Sequence, residues 1–243
     1  MKRKLVLTMI FCSAGMLLLA QQFPELNTAK NCGYMKPEER EMIYELNVVR
    51  THPEIYVQYL QKYLDEAREA LKRPGNRNRN YSLETSYRNA NGRVTVKTDT
   101  VWFNEEEEEV NAIESLISDL KNLKPMGILL PDPGIYNAAR LYGADQDRHK
   151  WELAHRGSDG SWPDERIRRS SKKMATGNEN IAGKYPEPAP GEIVIQLLID
   201  SGIRGYGHRY NILNPKWTHV ACFSGNLKYG MYRWLQEFGE EEK

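Results

Sequence analysis

Gly205-Tyr206-Gly207-His208-Arg209-Tyr210-Asn211-Ile212-Leu213-Asn214-Pro215 is polar, punctuated by glycine and built around a histidine, which is more chemistry than a mere connector needs. A second stretch of the same kind, His155-Arg156-Gly157-Ser158-Asp159-Gly160-Ser161-Trp162-Pro163, leads into Arg166-Ile167. Between them Gly177-Asn178-Glu179-Asn180-Ile181-Ala182 sets an acid in a short strand-like or looped segment. Two imidazoles and neighbouring carboxylates suit either a divalent-metal site or an acid/base pair. The residues alone leave that choice open.

Outward from these stretches the pattern is regular. Gly191 to Ser201 reads as a short amphipathic helix presenting Ile193, Val194, Leu197 and Leu198, and two strand-like runs, Thr218 to Phe223 and Tyr229 to Phe238, flank Ser224-Gly225-Asn226 as a hairpin. Upstream, Asp132-Pro133 caps a helix through Ile135, Ala138, Ala139 and Tyr142. The run Glu105 to Glu109 is a solvated helix start, because Val110, Ile113, Ile117 and Leu120 follow at helical spacing. From Pro37 a helix buries Met42, Leu46 and Val49, with Glu38, Glu39 and Glu41 suiting its positive end. Thr51-His52-Pro53-Glu54 predicts a capping box that restarts a helix with the face Ile55, Tyr59, Tyr63 and Ala67, which explains His52 without chemistry. Lys72 to Asn104 changes character and reads as an insertion, with Asn91-Gly92 turning into an edge strand from Arg93 to Val96. Helices before and between strands, closed by a hairpin, predict an α+β fold.

The 243 residues, 40% of them hydrophobic, suffice for one sizeable core. A net charge of +1, which falls to about −2 without Lys2, Arg3 and Lys4, argues against nucleic acid as a partner. Residues 1–20 read as a signal peptide: a Lys-Arg-Lys start, an apolar run from Leu5 to Leu19, then Ala20. Export follows, to a secreted, periplasmic or cell-surface location, and no later stretch approaches transmembrane length. Residues 21–35 are an N-terminal arm and 240–243 a tail. Only Cys32 and Cys222 survive cleavage, so either one disulfide ties the arm to a late strand or both are buried thiols.

The three polar stretches, in this order, resemble the CAP superfamily of cysteine-rich secretory proteins, antigen 5 and pathogenesis-related proteins, the SCP-like extracellular proteins. A His before an Asp-Gly turn, Glu-Asn-Ile-Ala, a helix, and Gly-His-Arg leading to Asn-Ile-Leu-Asn-Pro follow one another as in that family. The resemblance runs from about Lys36 to Gly239, weakly at first and strongly from Ala138, where Leu141-Tyr142-Gly143-Ala144-Asp145 is similar to the helix before the family's first His. It implies a three-layer α-β-α sandwich over residues 36–239, with the insertion at about 72–104, and a cleft lined by His155, Glu179, Asp200 and His208. Asp200 stands where the eukaryotic pattern has Glu and is one methylene shorter, which favours a water-bridged role. Asp159, Asn180, Arg209 and Asn211 support the motifs, Asp159 by closing its own turn.

Two functions compete. A secreted binding or effector module would use the cleft or the insertion to recognise a lipid, glycan or protein, and this ranks first. The alternative is a metal-dependent hydrolase of peptides or esters, with Zn²⁺ on His155, His208 and Glu179. The chain lacks the His-Glu-x-x-His helix of many zinc proteases and the Gly-x-Ser-x-Gly elbow of esterases. A third reading makes the polar cluster a buried network that holds sheet to helices.

Overall fold

The computed structural model describes residues 23–73, 79–90, 93–149, 154–184, 189–227 and 231–242. The proposed signal peptide, residues 1–20, and the Asn91-Gly92 turn lie outside them. In chain order the elements are α1 Pro37–Thr51, α2 Pro53–Lys72, β1 Arg79–Ala90, β2 Arg93–Asn104, α3 Glu105–Asn122, β3 Leu130–Pro131, α4 Pro133–His149, α5 Pro163–Ser170, β4 Met174–Lys184, α6 Pro190–Ile199, α7 Gly207–Ile212, β5 His219–Asn226 and β6 Tyr232–Glu241. The fold is α+β. No helix of the described residues is long and apolar enough to cross a membrane. The chain divides into two compact units, one of residues up to Asn47, Ile128–Val194 and residues from Lys216, the other of Val48–Gly127 and Ile195–Pro215.

The first unit is organised by a four-stranded sheet in the order β3-β5-β6-β4. β3 runs parallel to β5, whereas β6 pairs antiparallel with both β5 and β4. Neighbouring residues of a strand point to opposite faces. On one face Gln236 of β6 donates to the Met42 sulfur and the Ser224 amide of β5 donates to Glu39, so the first part of α1 covers it. On the other, Tyr142 of α4 packs with Ile181, Leu235 and Phe223. Gly143 permits that approach, since a Cβ there would collide with the Phe223 ring. Helix, sheet and helix thus make three layers in this unit. Asp132 accepts from the Ile135 amide at 2.8 Å, the cap that the sequence predicts.

The second unit packs α2 on α3. The α3 stripe Val110, Ile113, Ile117 and Leu120 is buried as expected, and Asn104 caps it by accepting from the Glu107 amide. On α2 the buried stripe is Pro53, Tyr56, Leu60 and Leu64, one residue round from the expected face, with Ile55, Tyr59, Tyr63 and Ala67 half-buried along its side. The expected capping box is not formed: His52 stands at the cap position without a side-chain cap bond, and Pro53 supplies the first turn. The insertion is a two-stranded ribbon of 12-residue strands, much longer than the predicted Arg93 to Val96, with Arg79 opposite Asn104 and Tyr81 opposite Trp102. Tyr81 and Trp102 are half-exposed, with ring centroids 5.1 Å apart.

The arm is fastened. A short 3-10 turn, Pro24–Leu26, places the Leu26 carbonyl 3.0 Å from Nδ2 of buried Asn47, whose Oδ1 accepts from the Leu129 amide at 2.7 Å. Replacing Asn47 by Ala orphans these backbone groups, and about 2–4 kcal/mol of stability should be lost in urea unfolding. A loss well under 1 kcal/mol would show that the arm hangs free.

Candidate functional site

β4 carries Glu179 into the first unit directly opposite Glu237 of β6, and both side chains are completely buried. Like charges opposed across a ladder are unfavourable. Arg166, on the first turns of α5, answers them: its Nη2 donates to Glu179 Oε2 at 3.0 Å. Its Nη1 donates to the carbonyls of His155 and Ser161 at 2.9 and 3.0 Å, and its guanidinium carbon lies 3.7 Å from the centroid of the Tyr142 ring. The helix that presents it starts with Glu165 accepting from the Trp162 amide. Tyr142 itself donates from its hydroxyl to the Ala154 carbonyl, next to His155.

His155 Nδ1 lies 2.9 Å from Glu179 Oε1, while the imidazole as a whole is 45% exposed. Burial, with Arg166 assisting and Glu237 opposing, holds its pKa below the usual histidine value, so it is neutral at neutral pH. Glu179 is pushed up from 4.5 to about 7 by burial, against the pull of Arg166. Burial raises Glu237 well above the glutamate range, and the Glu179 charge raises it further. Among the described residues no cationic or amide donor reaches either oxygen of Glu237, and the group left to share a proton with it is the Glu179 carboxyl across the ladder.

The second unit holds the other matched pair. His208 Nδ1 is 2.6 Å from Asp200 Oδ1, and the His208 amide donates to Asp200 Oδ2 at 2.9 Å. Both residues flank a strained turn: Asp200 and Tyr206 have φ of +55° and +49°, with Gly202 and Gly205 also in the left-handed region. Arg209 braces that turn from below, donating to the Leu198, Ile199 and Ala112 carbonyls and to Asp119. Asn211 is buried and its carbonyl accepts from the Asn214 amide.

Each predicted histidine thus has a predicted acid on its Nδ1, and the two pairs belong to different units. Asp159 closes its own turn by accepting from the Ser161 amide. Asn180 points to the opposite face from Glu179 and donates to Gln236, so it belongs to the core. Glu237, Arg166 and Tyr142 escaped the sequence reading as site residues. The available signal was Arg233, Gln236 and Glu237 interrupting an apolar run that the pattern already made a strand.

One expectation is corrected. Cys32 and Cys222 are free thiols, not a disulfide: Cys222 is sealed in β5, its thiol pushed up by burial and by Glu39, while half-buried Cys32 sits beside the Tyr34 hydroxyl. Among the described residues no group of three or more His, Cys, Asp or Glu side chains is arranged to hold a metal ion. The donor set of the first unit does not fit one, because both Glu179 oxygens are engaged, one of them by a guanidinium that would repel a dication. The Asp200 oxygens are likewise both taken by His208.

No protein-family model and no curated protein matches the chain. Among solved structures it is similar to an outer surface protein from Borrelia burgdorferi, at 15% identity and a TM-score of 0.41, over 56% of this chain and 95% of that one.

The raised glutamates give a pH signature. A group whose folded pKa exceeds its unfolded value contributes its stability below the unfolded pKa and loses it as pH rises through the folded one. Glu237→Gln removes one such group, so its stability relative to the parent should improve from pH 5 to pH 8 by on the order of 2 kcal/mol, read by urea unfolding at each pH. A constant offset across that range would contradict the buried proton.

Proposed function

We propose that this chain is an exported recognition module of the CAP type, which meets its ligand at the His155 imidazole of the first unit and does not hydrolyse it. The observation that carries this reading is the pairing, within each unit, of the matched histidine with the matched acid through Nδ1. Such pairing fixes the ring and its tautomer and directs Nε2 towards a partner. At His155, Nε2 has no partner among the described residues, on a ring that is 45% exposed.

The hydrolase alternative loses support from the same geometry. Zinc-assisted attack needs carboxylate and imidazole donors open to the metal, and in the first unit Arg166 takes the oxygen that the metal would need. A binding role asks less of the site. The ribbon of the second unit offers a contact region of its own, where Tyr81 and Trp102 lie half-exposed and the Arg79 guanidinium is 5.3 Å from the Trp102 ring.

The test presents the full chain to immobilised glycans, phospholipid vesicles and extended peptides. One class should be retained, and His155→Ala should weaken it about fivefold to tenfold, the size expected of one lost hydrogen bond, when compared at a temperature at which circular dichroism shows both proteins folded. Replacing residues 79–104 by a short linker measures the share of the ribbon. Cleavage of a peptide or ester that requires added Zn²⁺ and His155 would install the hydrolase instead.

A further inference from the structure

The first unit contains two buried carboxyl groups, one imidazole and one guanidinium within a single cluster. Every element packed there contributes: Tyr142 from α4, His155 and Arg166 around the start of α5, Glu179 from β4 and Glu237 from β6. A guanidinium keeps its charge under all ordinary conditions. An uncompensated buried charge is strongly unfavourable, so this set is tolerated only if it sums to about zero. One Arg balances one Glu. The other Glu therefore carries a proton, unless the imidazole does, and the surroundings choose between them. Glu179 receives both charge-assisted contacts, whereas the oxygens of Glu237 receive none from the described residues. Tyr142, pushed up to about 12 by burial and by Glu179, adds no charge.

Arg166 is not a casual neighbour. Two backbone carbonyls, an aromatic face and a carboxylate fix its position, so its charge is in place before any ligand arrives. We propose that Arg166 is the resident cation of the His155, Glu179 and Glu237 site, taking the carboxylate oxygen that a divalent ion would need, with neutral Glu237 beside it, so that the site selects a hydrogen-bond donor through the Nε2 lone pair of His155. Ionised Glu179 accepts the Nδ1 proton of His155, which leaves Nε2 bare. A hydroxyl or an ammonium of the ligand suits it; a carboxylate or phosphate does not. Arg166 and Glu237 are positioning residues in this scheme, which rests on the reading of His155 as the group that faces the ligand.

The cation can be removed. Arg166→Met in the full chain frees two carboxyl groups and an imidazole, three donors of the kind a zinc site uses. Titrated with Zn²⁺ or Co²⁺ alone, the parent should show no uptake that His155→Ala abolishes. Arg166→Met should gain one site per chain, weakened at least about tenfold by adding Glu237→Gln, and Arg166→Lys, which keeps the charge, should gain none. Nitrogen-15 NMR of the parent reads the proton directly and covers the case in which Arg166→Met does not fold: at pH 8, above the titration of Glu179, His155 should be the Nδ1–H tautomer. Stoichiometric Zn²⁺ uptake by the parent that depends on His155 and Glu179 would overturn the proposal, and so would an Nε2–H tautomer. These readouts need no ligand, so they fail separately from the recognition function.

Discussion

A carboxylate sealed from water has to be neutralised, and in this chain Glu179 is neutralised by Arg166. The contact organises its surroundings. To reach Glu179, Arg166 must rise from a helix that begins at Pro163, and to stay there it draws in the carbonyls of His155 and Ser161. The loop that carries His155 is therefore shaped by the same guanidinium that holds the acid beneath it. Breaking such a pair by deleting one partner typically costs about 3–5 kcal/mol, because the surviving charge is left buried. Position of the loop, ionisation of the acids and orientation of the imidazole are one problem with one solution.

Arginines serve differently elsewhere. In the second unit Arg50, fully buried, donates to the carbonyls of Gly127, Ile212 and Asn214, and burial lowers its pKa to about 10. In this role it satisfies backbone oxygens that end an element. Arg209 does the same for the close of α6 while resting on the Tyr206 ring, 3.9 Å from its centroid. The Asn-Ile-Leu-Asn-Pro segment is thus held by side chains from distant positions, which suits a segment whose own backbone adopts little repeating structure.

Much of this was legible in the sequence because local rules were obeyed locally. Asp132 caps α4 and the glutamate run opens α3; the pairing of His155 with Glu179 and of His208 with Asp200 is not something the sequence assigned, since it offered all four as one cleft. The misreadings have a common origin in elements whose two sides are alike. On α2 two apolar stripes adjoin, Tyr56 and Leu60 beside Tyr59 and Tyr63, so periodicity alone does not say which lies inward. Along β6 both faces are covered, so Glu237 shows no alternation that would mark it as facing Glu179. Cross-strand register is a long-range fact, and the two glutamates are opposed only because β4 and β6 pair as they do. The cysteines show the reverse limit: composition and compartment permit a disulfide, but the neighbours of each thiol decide.

The place of β6 in the chain has a kinetic consequence. It lies between β4 and β5 and supplies the ladder partner of each, yet it follows both in the sequence. A nascent chain that has emerged only as far as residue 231 can pair β5 with β3 but has nothing to join β4 to them, so the four-stranded sheet closes only after its last strand arrives. Closing such distant contacts is slow. Until then one edge of β4 and one edge of β5 wait without the strand that joins them.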